Sequence, residues 1–170
     1  MNRLEVFFDY FCPFCQKGFK DLKKLYPDYP DIEIIWYPWV GEHPRSENNM
    51  CVRGMYFALD SGVDIWEYHD RVYKAALLEH KDIGSIEAFL KCFKGLPYVD
   101  TMRKALQNGD YAKAQREENL KVCQRYGIWE IPAYRMNGMK LDAVIGENIR
   151  REQLKEFLDA TTQCGTTNNI

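Results

Sequence analysis

Glu5-Val6-Phe7-Phe8-Asp9-Tyr10-Phe11-Cys12-Pro13-Phe14-Cys15 decides how this 170-residue chain is read. The extended run Leu4 to Phe8 is a strand, and two thiols two residues apart open a helix directly behind it. Pro13 suits the first helical position, where its missing amide hydrogen costs nothing and its fixed φ already matches the helix. Cys12, just ahead of the helix, then lies against unpaired backbone amides and the positive end of the helix dipole, which favour a thiolate. Cys12 is the candidate nucleophile. The apolar positions Cys15, Phe19, Leu22 and Tyr26 recur at helical spacing, with Lys17, Lys20, Asp21, Lys23 and Lys24 on other faces, so Cys15 turns inward. An exposed attacking sulfur with a sheltered partner one turn later is the arrangement that forms and then resolves a mixed disulfide.

A pair at this spacing can also be half of a zinc site, but tetrahedral zinc needs a second pair of ligands. Cys51, Cys92, Cys123 and Cys164 stand singly, and His43, His69 and His80 form no ligand pair with a cysteine neighbour. No metal site is expected. The strand-then-helix context favours redox chemistry over a metal or a purely structural disulfide.

The chain is 46% hydrophobic and 14% aromatic, enough for one well-packed domain or a domain carrying an insertion. A net charge of -2 gives no bulk electrostatic argument for nucleic acid or anionic membrane as a partner. No apolar run approaches a membrane span, and Met1 precedes the first strand too closely for a signal peptide, so a cytoplasmic location is expected. Cysteines in a reducing compartment are mostly free thiols, and six of them are not read as three structural bridges.

Beyond the Pro13 helix, which the pattern carries to about Tyr26, Pro27 to Asp31 form a turn and Ile32 to Tyr37 a second strand. That βαβ opening implies a parallel pair with a right-handed crossover. From Ser46 to Tyr126 the pattern is helical, broken by Gly62, Gly84, Gly95-Leu96-Pro97 and Asn108-Gly109-Asp110, and accommodates five short helices. Gly127 stands where a left-handed C-terminal cap is favoured. Then come Ile131 to Met136 as a strand, the hairpin pair Asn137-Gly138, a short strand around Ala143-Val144-Ile145, and a closing helix with Leu154, Phe157, Leu158 and Thr161 on one side. This order describes an α/β, thioredoxin-like fold with an all-helical insertion. Its expected divisions are residues 1–40 and 110–160 for the discontinuous thioredoxin-like domain, 41–109 for the helical insertion, and 161–170 for a disordered tail.

The Glu5 to Cys15 stretch, with Ile131-Pro132 far downstream, resembles the DsbA-like branch of the thioredoxin superfamily, and within it the FrnE-type members. Asp9, three positions before Cys12, Gly127 ahead of Pro132, and the segments Tyr68 to Ala75 and Asp82-Ile83-Gly84 all carry the likeness. The resemblance implies a thiol-disulfide oxidoreductase that oxidises, reduces or isomerises protein disulfides with the Cys12–Cys15 pair. It implies that Pro132 is a cis-proline beside the dithiol, letting the backbone at Ile131 pair with an extended substrate. It implies no bound cofactor beyond the redox-active disulfide, and protein or peptide thiols and disulfides, or glutathione as a co-substrate, as partners. Oligomeric state is not implied. DsbA has a histidine where Phe14 stands, and Phe14 cannot stabilise the thiolate as a cation would, so a less oxidising poise is expected.

Around the pair, Asp9 is a candidate proton relay or a cap for free amides, and Glu5 a partly buried acid of the same kind. Phe14 and Ile131 are candidate substrate contacts; Asp9, Pro13 and Pro132 are supporting residues. Cys51, Cys92 and Cys123 fall among apolar neighbours at helical spacing and are expected in the core, as is His69 between Trp66 and Tyr73. Cys164 lies in the tail, and His43 is left without a role. Two other functions stay open. One is a glutathione-dependent isomerase or transferase of the 2-hydroxychromene-2-carboxylate isomerase or kappa class, which normally carries serine at the first motif position. The other is a non-catalytic, chaperone-like module.

Overall fold

The computed structural model describes residues 2–39 and 46–166, without the side chains of 46–48, 118–124 and 163–166. The reading made for His43 lies outside the described residues, and those made for the Cys123 and Cys164 side chains lie outside the described side chains. The chain divides into two compact units, 1–39 with 122–170, and 40–121.

The first unit is built on a four-stranded sheet of order β2-β1-β3-β4. β1 (Asn2–Phe8) pairs parallel with β2 (Ile32–Pro38), Val6 opposite Trp36. On its other side β1 pairs antiparallel with β3 (Ala133–Met136), which pairs antiparallel with β4 (Met139–Asp142). With a strand on both sides, β1 is internal, and Leu4, Val6, Phe7 and Phe8 are all buried, as a strand covered on both faces requires. One face carries Phe8 edge-on to Trp36, with Phe19 of the following helix beside it. On the other, Phe7 stacks on Tyr37 at 5.2 Å and meets Tyr126 at 5.1 Å, next to Ile128 and Ala133.

α1 (Pro13–Leu25) is the crossover between β1 and β2. It buries Cys15, Gly18, Phe19, Leu22 and Leu25 along one stripe and leaves Lys17, Lys20, Lys23 and Lys24 exposed. Gly18 is required by close packing: a Cβ there would stand 2.6 Å from Tyr134 Oη and 3.3 Å from Pro132 Cγ. α1 therefore rests directly on β3 and the turn leading into it.

The second unit is helical, with α2 (Ser46–Asp60), α3 (Ile65–Tyr73), a π-helical turn at Lys74–Leu78, the short α4 (Ile86–Leu90) and α5 (Val99–Asn108). Asp64 caps α3 through the amides of Trp66 and Glu67, and Ser85 caps α4 through that of Ala88. Cys51, Met55, Tyr68, His69, Phe89, Phe93 and Met102 are fully buried here, so Cys51 and His69 are core as expected. Burial lowers the His69 pKa from its ordinary value to about 3.

Four readings are corrected. α6 (Ala112–Tyr126) contains the boundary between the units, at 121/122 rather than near Gly109. Gly109, at φ 72°, does end α5, but the chain restarts as a helix within the same unit. The residues read as a tail from 161 continue α7 (Arg151–Thr166), and Thr161 is buried with its hydroxyl donated back to the Phe157 and Leu158 carbonyls. The last strand lies at Met139–Asp142, because the two-residue turn Asn137-Gly138, with φ 51° and 78°, pairs Met136 with Met139 at once. Val144 and Ile145 are left exposed beyond it. Cys92, expected in the core, is half-buried and lines a groove with Glu67, Arg71, Lys74, Glu79 and Lys81.

Candidate active site

At the carboxyl end of β1 the chain turns through Asp9, Tyr10 and Phe11 into α1. Asp9 Oδ1 accepts the Phe11 amide at 2.8 Å, and the Asp9 carbonyl accepts that of Cys12 at 3.3 Å. The carboxylate thus holds one amide of the turn, that of Phe11, ahead of the helix. Cys12 is the N-cap residue of α1, in extended conformation, with Pro13 next at the first helical position and exposed.

The two thiols are free and differ sharply in setting. Cys12 is half-exposed, and its Sγ accepts the backbone amide of Cys15 at 3.3 Å. Its pKa is lowered to about 7, chiefly by a hydrogen bond from the Cys15 thiol. Partial burial opposes this, the backbone amides of Cys15 and Phe14 add to it, and the Asp9 carboxylate works weakly against it. The sequence reading credited the helix amides; the largest single contribution comes from the partner sulfur, with the Cys15 and Phe14 amides adding to it. Cys15 is 1% exposed, and its own pKa is pushed well up by burial, by donation to Cys12 and by the neighbouring negative charge.

Across from Cys12 lies the turn that enters β3. The Ile131–Pro132 peptide bond is cis, and the Cys12 thiol points at the Ile131 carbonyl oxygen at 3.9 Å. Pro132 is buried and its carbonyl accepts the Ala143 amide at 3.1 Å, joining the loop after β4 to this turn. Phe14 and Ile131 are half-buried, and Trp129, two residues before Ile131, is 84% exposed. Cys12, Cys15, Asp9, Pro13, Phe14, Ile131 and Pro132 therefore gather at one end of the sheet. Glu5 does not join them. It accepts a hydrogen bond from Tyr126 Oη at 3.0 Å and lines a cavity of about 450 Å³ with Arg3 and Arg135, toward the amino end of β1.

Tyr134 and Gly18 were missed in the sequence. Tyr134 is fully buried beneath α1, and burial raises its pKa. The available signal was Gly18 itself, a glycine inside a helix on its apolar face, which asks for a close neighbour. Among the described residues, no group of three or more His, Cys, Asp or Glu side chains could hold a metal ion, and no helix is long and apolar enough to cross a membrane.

Residues 3–52 match the family model of the DSBA-like thioredoxin domain. No curated protein matches the chain. Among solved structures, a single-residue variant of Pseudomonas aeruginosa DsbA superposes with a TM-score of 0.74 at 20% identity, over 98% of this chain and 88% of that one. Oxidised BdbD from Bacillus subtilis gives 0.74 at 15% identity, over 95% and 88% of the two chains. Reduced DsbA1 from Neisseria meningitidis gives 0.72 at 13% identity, over 98% and 87%. The fold is the thioredoxin-like fold with helices added, as in DsbA-like structures.

Proposed function

We propose that this protein is a thiol-disulfide oxidoreductase acting on protein or peptide disulfides through Cys12 and Cys15. The observation that carries the reading is the inequality of the two sulfurs: one half-exposed with its pKa near 7, the other sealed and poorly acidic. In the reducing direction the Cys12 thiolate attacks one sulfur of a substrate disulfide. That S–S bond breaks, and the departing sulfur leaves as a thiolate that takes a proton from solvent. The Cys15 thiol then loses its proton and attacks the Cys12 sulfur, breaking the mixed disulfide and releasing the second substrate thiolate. Two electrons have passed from the dithiol to the substrate, and the same steps in reverse oxidise a substrate dithiol. The Asp9 position and the helical unit support a FrnE-type placement within the DsbA-like branch. Phe14, which offers Cys12 a backbone amide but no side-chain charge, supports a milder poise than that of a histidine-bearing relative.

The test is trapping. Cys15→Ser expressed in cells should accumulate a discrete set of proteins disulfide-linked to Cys12, released by reductant and absent from Cys12→Ser. Recovery of glutathione alone would move the reading to the glutathione-dependent class.

A further inference from the structure

β4 is the outermost strand of its sheet, and among the described residues it pairs on one side only, with β3. The register decides which of its backbone groups are taken. The two-residue turn Asn137-Gly138 makes Met136 and Met139 a hydrogen-bonded pair, and alternation along an antiparallel ladder makes Tyr134 and Leu141 the next one. The Ala143 amide on the Pro132 carbonyl, at 3.1 Å, continues the same alternation. Lys140 and Asp142 fall between these positions, so their N–H and C=O groups point away from β3, to the open side. Both residues are exposed, Met139 is 38% exposed, and Leu141 is half-buried.

An open strand edge is a template for another strand, and a lone lysine on it is a device that prevents such pairing. Here the lysine is not alone. Lys140 and Asp142, two residues apart on one face, complement each other when a second β4 runs antiparallel to the first. With a two-fold axis through Leu141, Lys140 of each copy stands opposite Asp142 of the other, and each of these pairs exchanges two backbone hydrogen bonds. Sliding the pairing by two residues, the smallest step that keeps the open groups facing, sets Lys140 against Lys140 or Asp142 against Asp142. Like charges directly opposite destabilise a pair and unlike charges stabilise it, so the side chains select a single register. On the other face of the seam the two Leu141 side chains meet at the axis, each with the other copy's Met139 diagonal to it, which gives that exposed methionine apolar cover.

We infer that this chain associates with a second copy of itself through β4, joining the two four-stranded sheets into one. The inference is independent of the oxidoreductase reading. Ala133, next to Pro132, pairs with Asp142, so the dithiol lies toward the Asp142 end of β4. The two-fold axis therefore sends the two Cys12 sites to opposite ends of the joined sheet, away from the seam. A contact this small belongs with weak, transient interfaces, with a Kd on the order of 100 µM.

The experiment is sedimentation velocity on the full chain, kept reduced so that no intermolecular disulfide contributes, from about 10 to 500 µM to bracket that Kd. The unaltered chain should pass from monomer to dimer over this range. Lys140→Glu and Asp142→Lys should each weaken self-association about tenfold or more, because each sets like charges opposite twice. Mixed together, the two variants should associate at least as well as the unaltered chain, since every charge pair across the seam is then unlike. Lys140→Pro, which removes an outward amide and no bond to β3, should also abolish association. Thermal melts report whether each variant is folded. Asp142→Lys gives up the contact with Arg135, and if it fails to fold, Lys140→Glu and Lys140→Pro decide the matter. A chain that stays monomeric throughout, association that survives Lys140→Glu or Lys140→Pro, or folded charge variants that do not associate on mixing, overturns the inference and leaves the oxidoreductase reading untouched.

Discussion

Cys15 gives its backbone amide to Cys12 Sγ over 3.3 Å while its own thiol stays buried, so each sulfur sets the acidity of the other. A negative charge on Cys12 is stabilised by the Cys15 donors, and that same charge makes Cys15 harder to ionise. The pair therefore carries its single negative charge at the half-exposed end.

Alkylation of Cys12 should follow this. With its pKa near 7, iodoacetamide labelling should rise with a midpoint about there, and labelling at pH 7 should run roughly tenfold ahead of an ordinary thiol of pKa about 8.5. Linkage gives the matching stability trend. A pKa lower in the folded than in the unfolded chain stabilises the reduced protein above the unfolded value, and that stability is lost as pH falls through about 7. Cys15, shifted the other way, takes stability away as pH rises above its unfolded value of about 9. Urea midpoints of the reduced protein should rise from pH 7 toward 9, and those of Cys12→Ser should not.

Removing the Cys15 thiol should weaken the acidity of its partner. Cys15→Ala deletes the largest stabilising contribution to the Cys12 thiolate, so the labelling midpoint should move upward; Cys15→Ser, which keeps a donor, should move it less. An unmoved midpoint in Cys15→Ala would assign the acidity to the helix amides alone.

Gly18→Ala should loosen the contact between α1 and β3. The new methyl would meet the buried Tyr134 hydroxyl at 2.6 Å, an overpacking that costs about 1–3 kcal/mol in well-filled interiors. Tyr134→Phe in the same chain should restore part of the loss, and a double-mutant cycle from urea melts would give the coupling.

His69 makes the helical unit acid-labile. Its folded pKa of about 3 lies below the unfolded value of 6.5, so the unfolded chain binds the extra proton between them. Stability should be full above about pH 6.5 and should decline toward pH 3, by an amount on the order of a few kcal/mol. Circular dichroism melts of His69→Phe should lack that share of the decline.

Much of the fold was legible because local signals agreed. Pro13 fixed the start of α1, the extended run Leu4 to Phe8 fixed β1, and the glycine and proline breaks separated the five helices described in the middle region. What misled was local composition overruled by longer-range geometry. Ala143-Val144-Ile145 looks like a strand because its β-branched pair has that preference, but the tight turn at Asn137-Gly138 starts the pairing at Met139, so the ladder ends at Asp142. The small and polar residues after Thr161 look like a tail, yet the Thr162 hydroxyl bonds back to the Leu158 carbonyl and the helix continues to Thr166. The dithiol was readable from spacing alone. Tyr134, which closes the site from below, was not, because its position depends on how β3 pairs with β1.

The tight turn also gives the protein a chemical clock. Asn137 donates its side-chain amide both to the Thr161 carbonyl at 2.9 Å and to Asn2 Oδ1 at 3.0 Å, pinning together the hairpin, the last helix and the first strand. Asparagine before glycine is the pair most prone to slow hydrolysis in water, and the acid it leaves would turn oxygen toward both of those acceptors. Ageing of stored samples should thus begin at the far edge of the sheet and release the chain ends, with the thiols still reduced.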